Sequence, residues 1–242
     1  MARTKHKPTE QTQEFDGYKD HYSQDIEDAL SFAGQSHDFY MQAKVNYLEK
    51  FIGLHNQENA PLQILDVGCG HGLSHSYFQD KYKGRIILQA VDPAASVIED
   101  AQKQNPNIAY KSNDGKTLPY DDNSFDIVQT ICVMHHVPPQ QWTHFIKEMQ
   151  RVTKIGGHII VFEHNPYNPI TRHIVNNCPL DENAVLLNKG VLKSTMREAG
   201  LSDIQQDFIL FFPFRHHLFR LIEKWLTWLP LGAQYVSYAQ KT

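Results

Sequence analysis

Apolar positions recur at helical spacing from residue 15 to 54. Phe15, Tyr18 and Tyr22 fall on one stripe, and Phe39, Ala43, Tyr47 and Leu48 on another. Gly34 and Ser36 divide this region into two helices, and a polar loop follows at 55–61. The period then changes. Short apolar runs at 62–68, 85–92, 108–111, 125–133 and 156–163 read as buried strands. Helical patterns at 73–82, 94–104 and 139–153 lie between them, and another at 188–200 ends on Gly200. Two late strands are expected at 203–212 and 233–241.

Strands alternating with helices predict an α/β fold, a doubly wound, seven-stranded, mostly parallel sheet. The last two strands flank 213–232 and can pair antiparallel. Residues 1–14 are polar and read as a flexible tail before a single domain, 15–242, whose segment 15–54 forms a helical cap. Within 213–232, Leu218, Ile222, Trp225 and Leu229 form an apolar stripe on a helix expected over 214–229. That stripe can pack in the core, meet a second copy, cover an acceptor, or lie on a membrane surface as a peripheral contact.

The sharpest motif is Asp66-Val67-Gly68-Cys69-Gly70-His71-Gly72, between a strand and a helix. Glycines let backbone approach a ligand, and the helix start supplies free N–H groups. Asp92, at the tip of the next strand, can accept from ribose hydroxyls, so a nucleoside ligand is expected at the strand ends. A dinucleotide fingerprint starting at Gly68 needs its third glycine at 73, where Leu73 stands. Asp66 also favours a ligand with a cationic end, such as S-adenosyl-L-methionine, over an anionic pyrophosphate. A nicotinamide-dependent oxidoreductase is thus the weaker reading. A non-catalytic adenosylmethionine-binding module stays open.

These residues resemble the class I adenosylmethionine-dependent methyltransferases, in particular the small-molecule branch of the type 11 kind. The resemblance runs over roughly 60–165, through ILDVGCGHG, AVDP, SNDGKTLPYDDNSFDIV, MHHV and RVTKIGGHIIV. It implies a Rossmann-like methyltransferase fold and S-adenosyl-L-methionine as cofactor. Gly68, Cys69 and Gly70 would then line the methionine part. Asp92 would hold the ribose, with Pro93 against the adenine. Asp114 would accept from the adenine amine, flanked by Asn113 and Gly115. Thr130 and Ile131 would border the sulfonium, and His136 occupies the family's recurrent histidine position. The family usually carries Ala where Gly115 stands, which implies a looser loop.

Methyl transfer from a sulfonium needs alignment and water exclusion, and a base only where the acceptor must lose a proton. His135, His136, Glu163, His164 and Tyr167 are the candidates, His136 and His135 foremost. The proline- and asparagine-rich segment 163–181 is expected to be loop-like and to shape the acceptor pocket, with Tyr18, Tyr22 and Lys44 closing over the donor. No metal site is expected, because the adjacent pairs His135–His136 and His216–His217 should point apart.

Composition narrows the partners. Net charge -4 argues against nucleic acid and leaves a small-molecule substrate. Three widely spaced cysteines, Cys69, Cys132 and Cys178, fit neither a disulfide framework nor zinc spacing. With no signal-peptide core and no run of about 18 apolar residues, the expectation is a cytoplasmic protein.

Overall fold

The computed structural model describes residues 36–54, 60–212 and 217–242. The tail at 1–14, the first expected helix and the residues Tyr18 and Tyr22 lie outside these. The strands are β1 (Leu62–Val67), β2 (Ile86–Asp92), β3 (Ala109–Ser112), β4 (Phe125–Ile131), β5 (Thr153–His164), β6 (Gln205–Ile209) and β7 (Gln234–Gln240). They form one seven-stranded sheet in the order β3-β2-β1-β4-β5-β7-β6. β1 to β5 pair in parallel; β7 runs antiparallel to both β5 and β6. This is the doubly wound, mostly parallel sheet expected, with an antiparallel end. The order reverses beside β1, which opens a crevice past the carboxyl ends of β1 and β4.

The helices are α1 (His37–Tyr47), α2 (Glu49–Leu54), α3 (His75–Lys81), α4 (Ala95–Gln104), α5 (Trp142–Val152), α6 (Pro169–Asn177), α7 (Lys189–Glu198) and α8 (His217–Leu226). Strand side chains alternate between two core layers, as the pleat requires. Ile64, Ile127, Ile160 and Phe162 pack with Val45, Phe51, Phe78 and Tyr82 from α1, α2 and the α3 end. Leu65, Val128, Ile159 and Val161 pack on the other face with Ile146 and Met149 of α5 and Met196 of α7. The Tyr82 hydroxyl donates to the Val45 carbonyl at 2.7 Å, which ties α1 to the body of the sheet.

Three expectations are corrected. Segment 163–181 is not all loop. Asn168 caps α6 by accepting from the N–H groups of Ile170 and Thr171, and Pro169 supplies the first turn. β6 stops at Ile209 because Leu210 turns left-handed at φ 62°. Of the helix expected over 214–229, residues 214–216 lie outside the described ones; the described part runs His217–Leu226 and stops there, since the Thr227 carbonyl leaves the helix to accept from Phe208 N–H on β6. Trp225 is 83% exposed, so it is not a core residue. No described helix is long and apolar enough to cross a membrane.

Candidate functional site

The crevice holds two adjoining cavities. The first, of about 190 Å³, is floored by the loop after β1 and walled by the tips of β2 and β4. The loop is braced to β2: Gly70 N–H donates to Asp92 Oδ2 at 3.0 Å, and Ala94 N–H donates to Oδ1 at 2.9 Å. Behind the loop, Asp66 is buried and takes His75 Nε2 at 2.9 Å and the Gln129 amide at 3.3 Å. A carboxylate only accepts, so His75 donates to it from Nε2, and its Nδ1 shares a hydrogen bond with the Tyr110 hydroxyl at 2.6 Å. Gly72, at φ +66°, leaves room for this pair: a Cβ there would lie 2.7 Å from the Tyr110 hydroxyl. Burial pushes the Cys69 thiol well up, so it stays protonated beside the cavity.

Asp66, Gly68, Cys69, Gly70, Asp92, Pro93, Asn113, Gly115 and Ile131 come together on this cavity. Asp114 does not border it. Its exposed carboxylate turns back to accept from Lys116 and Thr117 N–H at 2.8 and 2.7 Å, an Asx-type turn. Beside it, buried Asn113 Oδ1 has no partner, and the residue lines the cavity. Thr130 is also outside, with its buried hydroxyl donating to the Val67 carbonyl at 2.8 Å. Gly115 sits at φ +75°, so glycine here permits a left-handed backbone and is not a loosened alanine position. The 113–122 loop is clamped from α5: Leu118 N–H donates to Glu148, and Arg151 donates to the Leu118 and Tyr120 carbonyls.

The second cavity, of about 180 Å³, shares His37, Met41, Ile131, Cys132 and His136 with the first. One wall is apolar, with Ile170 and Ile174 of α6 and Leu180. The other carries His135, His136, His164, Asp181, Lys44 and Gln234. Lys44 is buried, its Nζ 3.7 Å from Cys132 Sγ. Gln234 is buried too, with its Oε1 unpaired.

His135 and His136 do not point apart. They sit on the short turn Met134–His136, their ring centroids are 4.1 Å apart, and both Nε2 atoms lie 3.4 Å from Asp181 Oδ1. Glu163 takes His135 Nδ1 at 2.7 Å and Met134 N–H at 2.8 Å. Burial opposes charge on His135, but the Glu163 and Asp181 carboxylates outweigh it and hold this imidazole well above its ordinary value. Burial and the charge on His135 lower His136 to about 3 and His164 to about 4. His136 and His164 are therefore neutral, whereas His135 keeps its proton and Glu163 is fully engaged by protein donors. Tyr167 is exposed and borders neither cavity. The described side chains of 217–229 line neither cavity, so they give no support to the acceptor cover among the roles open to this stripe.

Sequence reasoning missed His75 and Tyr110 behind the loop, the Glu148–Arg151 clamp, and Asp181. No local pattern marks them; each makes a contact across 30 to 46 positions of chain. Only the Asn168-Pro169 start of α6 carried a readable signal.

The fold and site define an α/β domain with a carboxylate-bearing cavity at the carboxyl ends of its strands and a second cavity adjoining it. Residues 64–157 match the methyltransferase domain family. Over this domain the chain is similar to S-adenosylmethionine-dependent methyltransferases. It is 30% identical over 109 residues to the phthiotriol/phenolphthiotriol dimycocerosates methyltransferase of Mycobacterium leprae, covering 45% of this chain and 40% of that one. It is 27% identical over 151 residues to the chloroplastic tocopherol O-methyltransferase of Arabidopsis thaliana, covering 59% and 43%. The chain thus spans about two fifths of the length of these curated relatives. Among solved structures, an adenosylmethionine-dependent methyltransferase of Thermotoga maritima superposes with a TM-score of 0.61 at 18% identity, covering 95% of this chain and 99% of that one.

Proposed function

We propose that the protein transfers a methyl group from S-adenosylmethionine to a small-molecule acceptor held in the second cavity. The observation that carries this reading is the junction: the two cavities meet at Ile131, Cys132 and His136. The first fits the donor. Asp66 and Asp92 place two carboxylates around it, which suits a cationic end, and unpaired Asn113 Oδ1 suits an amine donor such as that of adenine. Gly68, Cys69 and Gly70 would meet the methionine part through backbone, Asp92 the ribose, and Pro93, Asn113 and Gly115 the adenine. Bound there, adenosylmethionine supplies an already activated methyl group.

The protein's own contribution is alignment and exclusion of water. His136, bordering both cavities, is the side chain we assign to the reacting end of the acceptor, with His135 holding it in place. The apolar wall from α6 suits an acceptor with an apolar body and a polar end. Relatives named for tocopherol and dimycocerosates support that class. Calorimetry with adenosylhomocysteine and with NAD tests the donor assignment. Micromolar binding of adenosylhomocysteine, about -8 kcal/mol, with none of NAD is expected. No binding of adenosylhomocysteine would overturn it.

A further inference from the structure

We propose that His135, His136 and Asp181 form a binding site for a divalent cation of the zinc class in the wall of the second cavity. One nitrogen from each imidazole and one carboxylate oxygen lie within 4.8 Å of one another. Both imidazole nitrogens stand 3.4 Å from the same oxygen, Asp181 Oδ1. That is longer than the usual N–H···O hydrogen bond of about 2.7–3.2 Å. It matches two edges of a tetrahedral site: ligand bonds of about 2.0–2.2 Å put ligand atoms roughly 3.3–3.6 Å apart.

Three further observations support the site. Glu163 takes His135 Nδ1 at 2.7 Å, which keeps the Nδ1 proton in place, so the second proton of His135 is the one that leaves, from Nε2, when a cation binds. A carboxylate on the far nitrogen is the usual support of a metal-bound histidine. Val185 N–H donates to the His135 carbonyl at 2.7 Å, which holds the chain after Asp181 against the histidine turn. The cavity also contains an unpaired buried acceptor, Gln234 Oε1, so its polar wall lacks a partner that a cation-bound water or ligand would supply.

Charge permits a dication. Lys44 lines the same cavity and opposes it, but Glu163 and Asp181 together offset two positive charges. Two imidazoles and one carboxylate favour a borderline-soft ion over magnesium or calcium, which prefer oxygen-rich shells. Three protein ligands leave an open position, the pattern of a working rather than a structural site. That this position takes an acceptor oxygen rests on the methyl-transfer reading; cation binding itself does not.

The test uses the full chain without donor or acceptor. Zn²⁺ is titrated against a chromophoric chelator, and Co²⁺ uptake is followed by visible d–d absorption. One ion per chain is expected, with tetrahedral or five-coordinate cobalt bands. Asp181→Asn should abolish the bands, and Glu163→Gln should weaken zinc binding about 10–100-fold. Far-UV circular dichroism and a melting curve show that each variant is folded. Should one variant fail to fold, His136→Gln, at a partly exposed position, gives the same readout. Undiminished uptake in folded Asp181→Asn or His136→Gln assigns the metal to other histidines and overturns the proposal. So does the absence of cobalt bands in the parent, which leaves the cluster as a closed ion pair. Adenosylhomocysteine calorimetry on the same parent protein reports separately on the donor site.

Discussion

Gly70 and Asp92 are bound across the floor of the first cavity, backbone N–H to Oδ2 at 3.0 Å, so the acid at the β2 tip holds the glycine loop in shape as well as lining the cavity. Asp92→Ala should therefore have two effects. Donor binding should weaken by roughly 2–3 kcal/mol through lost hydrogen bonds to a charged acceptor. The melting temperature should also fall, because Gly70 and Ala94 lose their acceptor. Calorimetry and a melting curve on one preparation read both. Unchanged adenosylhomocysteine affinity would remove Asp92 from the donor site.

Asn113 and Asp114 should separate cleanly. Asn113→Ala removes the unpaired oxygen on the cavity and should weaken adenosylhomocysteine binding by about 1 kcal/mol. Asp114→Ala removes a turn acceptor and should leave that affinity nearly untouched. The reverse pattern would return the adenine contact to Asp114.

Gly72→Ala should destabilise the fold by roughly 1–3 kcal/mol in urea titration. The new Cβ collides with the His75–Tyr110 pair, and alanine is strained at φ +66°. A neutral effect would mean that the loop relaxes without cost.

The clamp on the 113–122 loop predicts a pH dependence. Its hydrogen bonds to Arg151 hold the Glu148 carboxyl below its ordinary value, against the opposing pull of burial. A depressed carboxyl stabilises the fold above its unfolded value, near 4.5, and that contribution is lost as pH falls through its lower folded value. Glu148→Gln should therefore narrow the stability gap to the parent on acidification below that region, measured by urea titration at several pH values. A constant gap would show that the clamp is not ionic.

Trp225→Ala should change stability by no more than about 0.5 kcal/mol, because the ring is exposed. A loss of several kcal/mol, as expected for a buried tryptophan, would contradict the exposed placement.

The sequence by itself determined the sheet, most of the helices described beside it and the glycine loop. Each depends on a local signal: an apolar run of strand length, a helical stripe, or glycines following Asp66. Asp92 was legible because its strand ends there. Tertiary structure alone decided the second cavity. Hydropathy could not tell that Trp225 stays outside the core, since an apolar stripe is equally suited to burial and to exposure on an edge. It could not show His135 and His136 converging either. Their side chains should diverge on a regular helix or strand; a short turn, Glu163 from β5 and Asp181 from beyond α6 bring them to one point. Asn113 likewise gained its place from the turn that Asp114 makes beside it. Periodicity records which face a residue takes along its own element, whereas a site is set by groups brought from distant elements into contact.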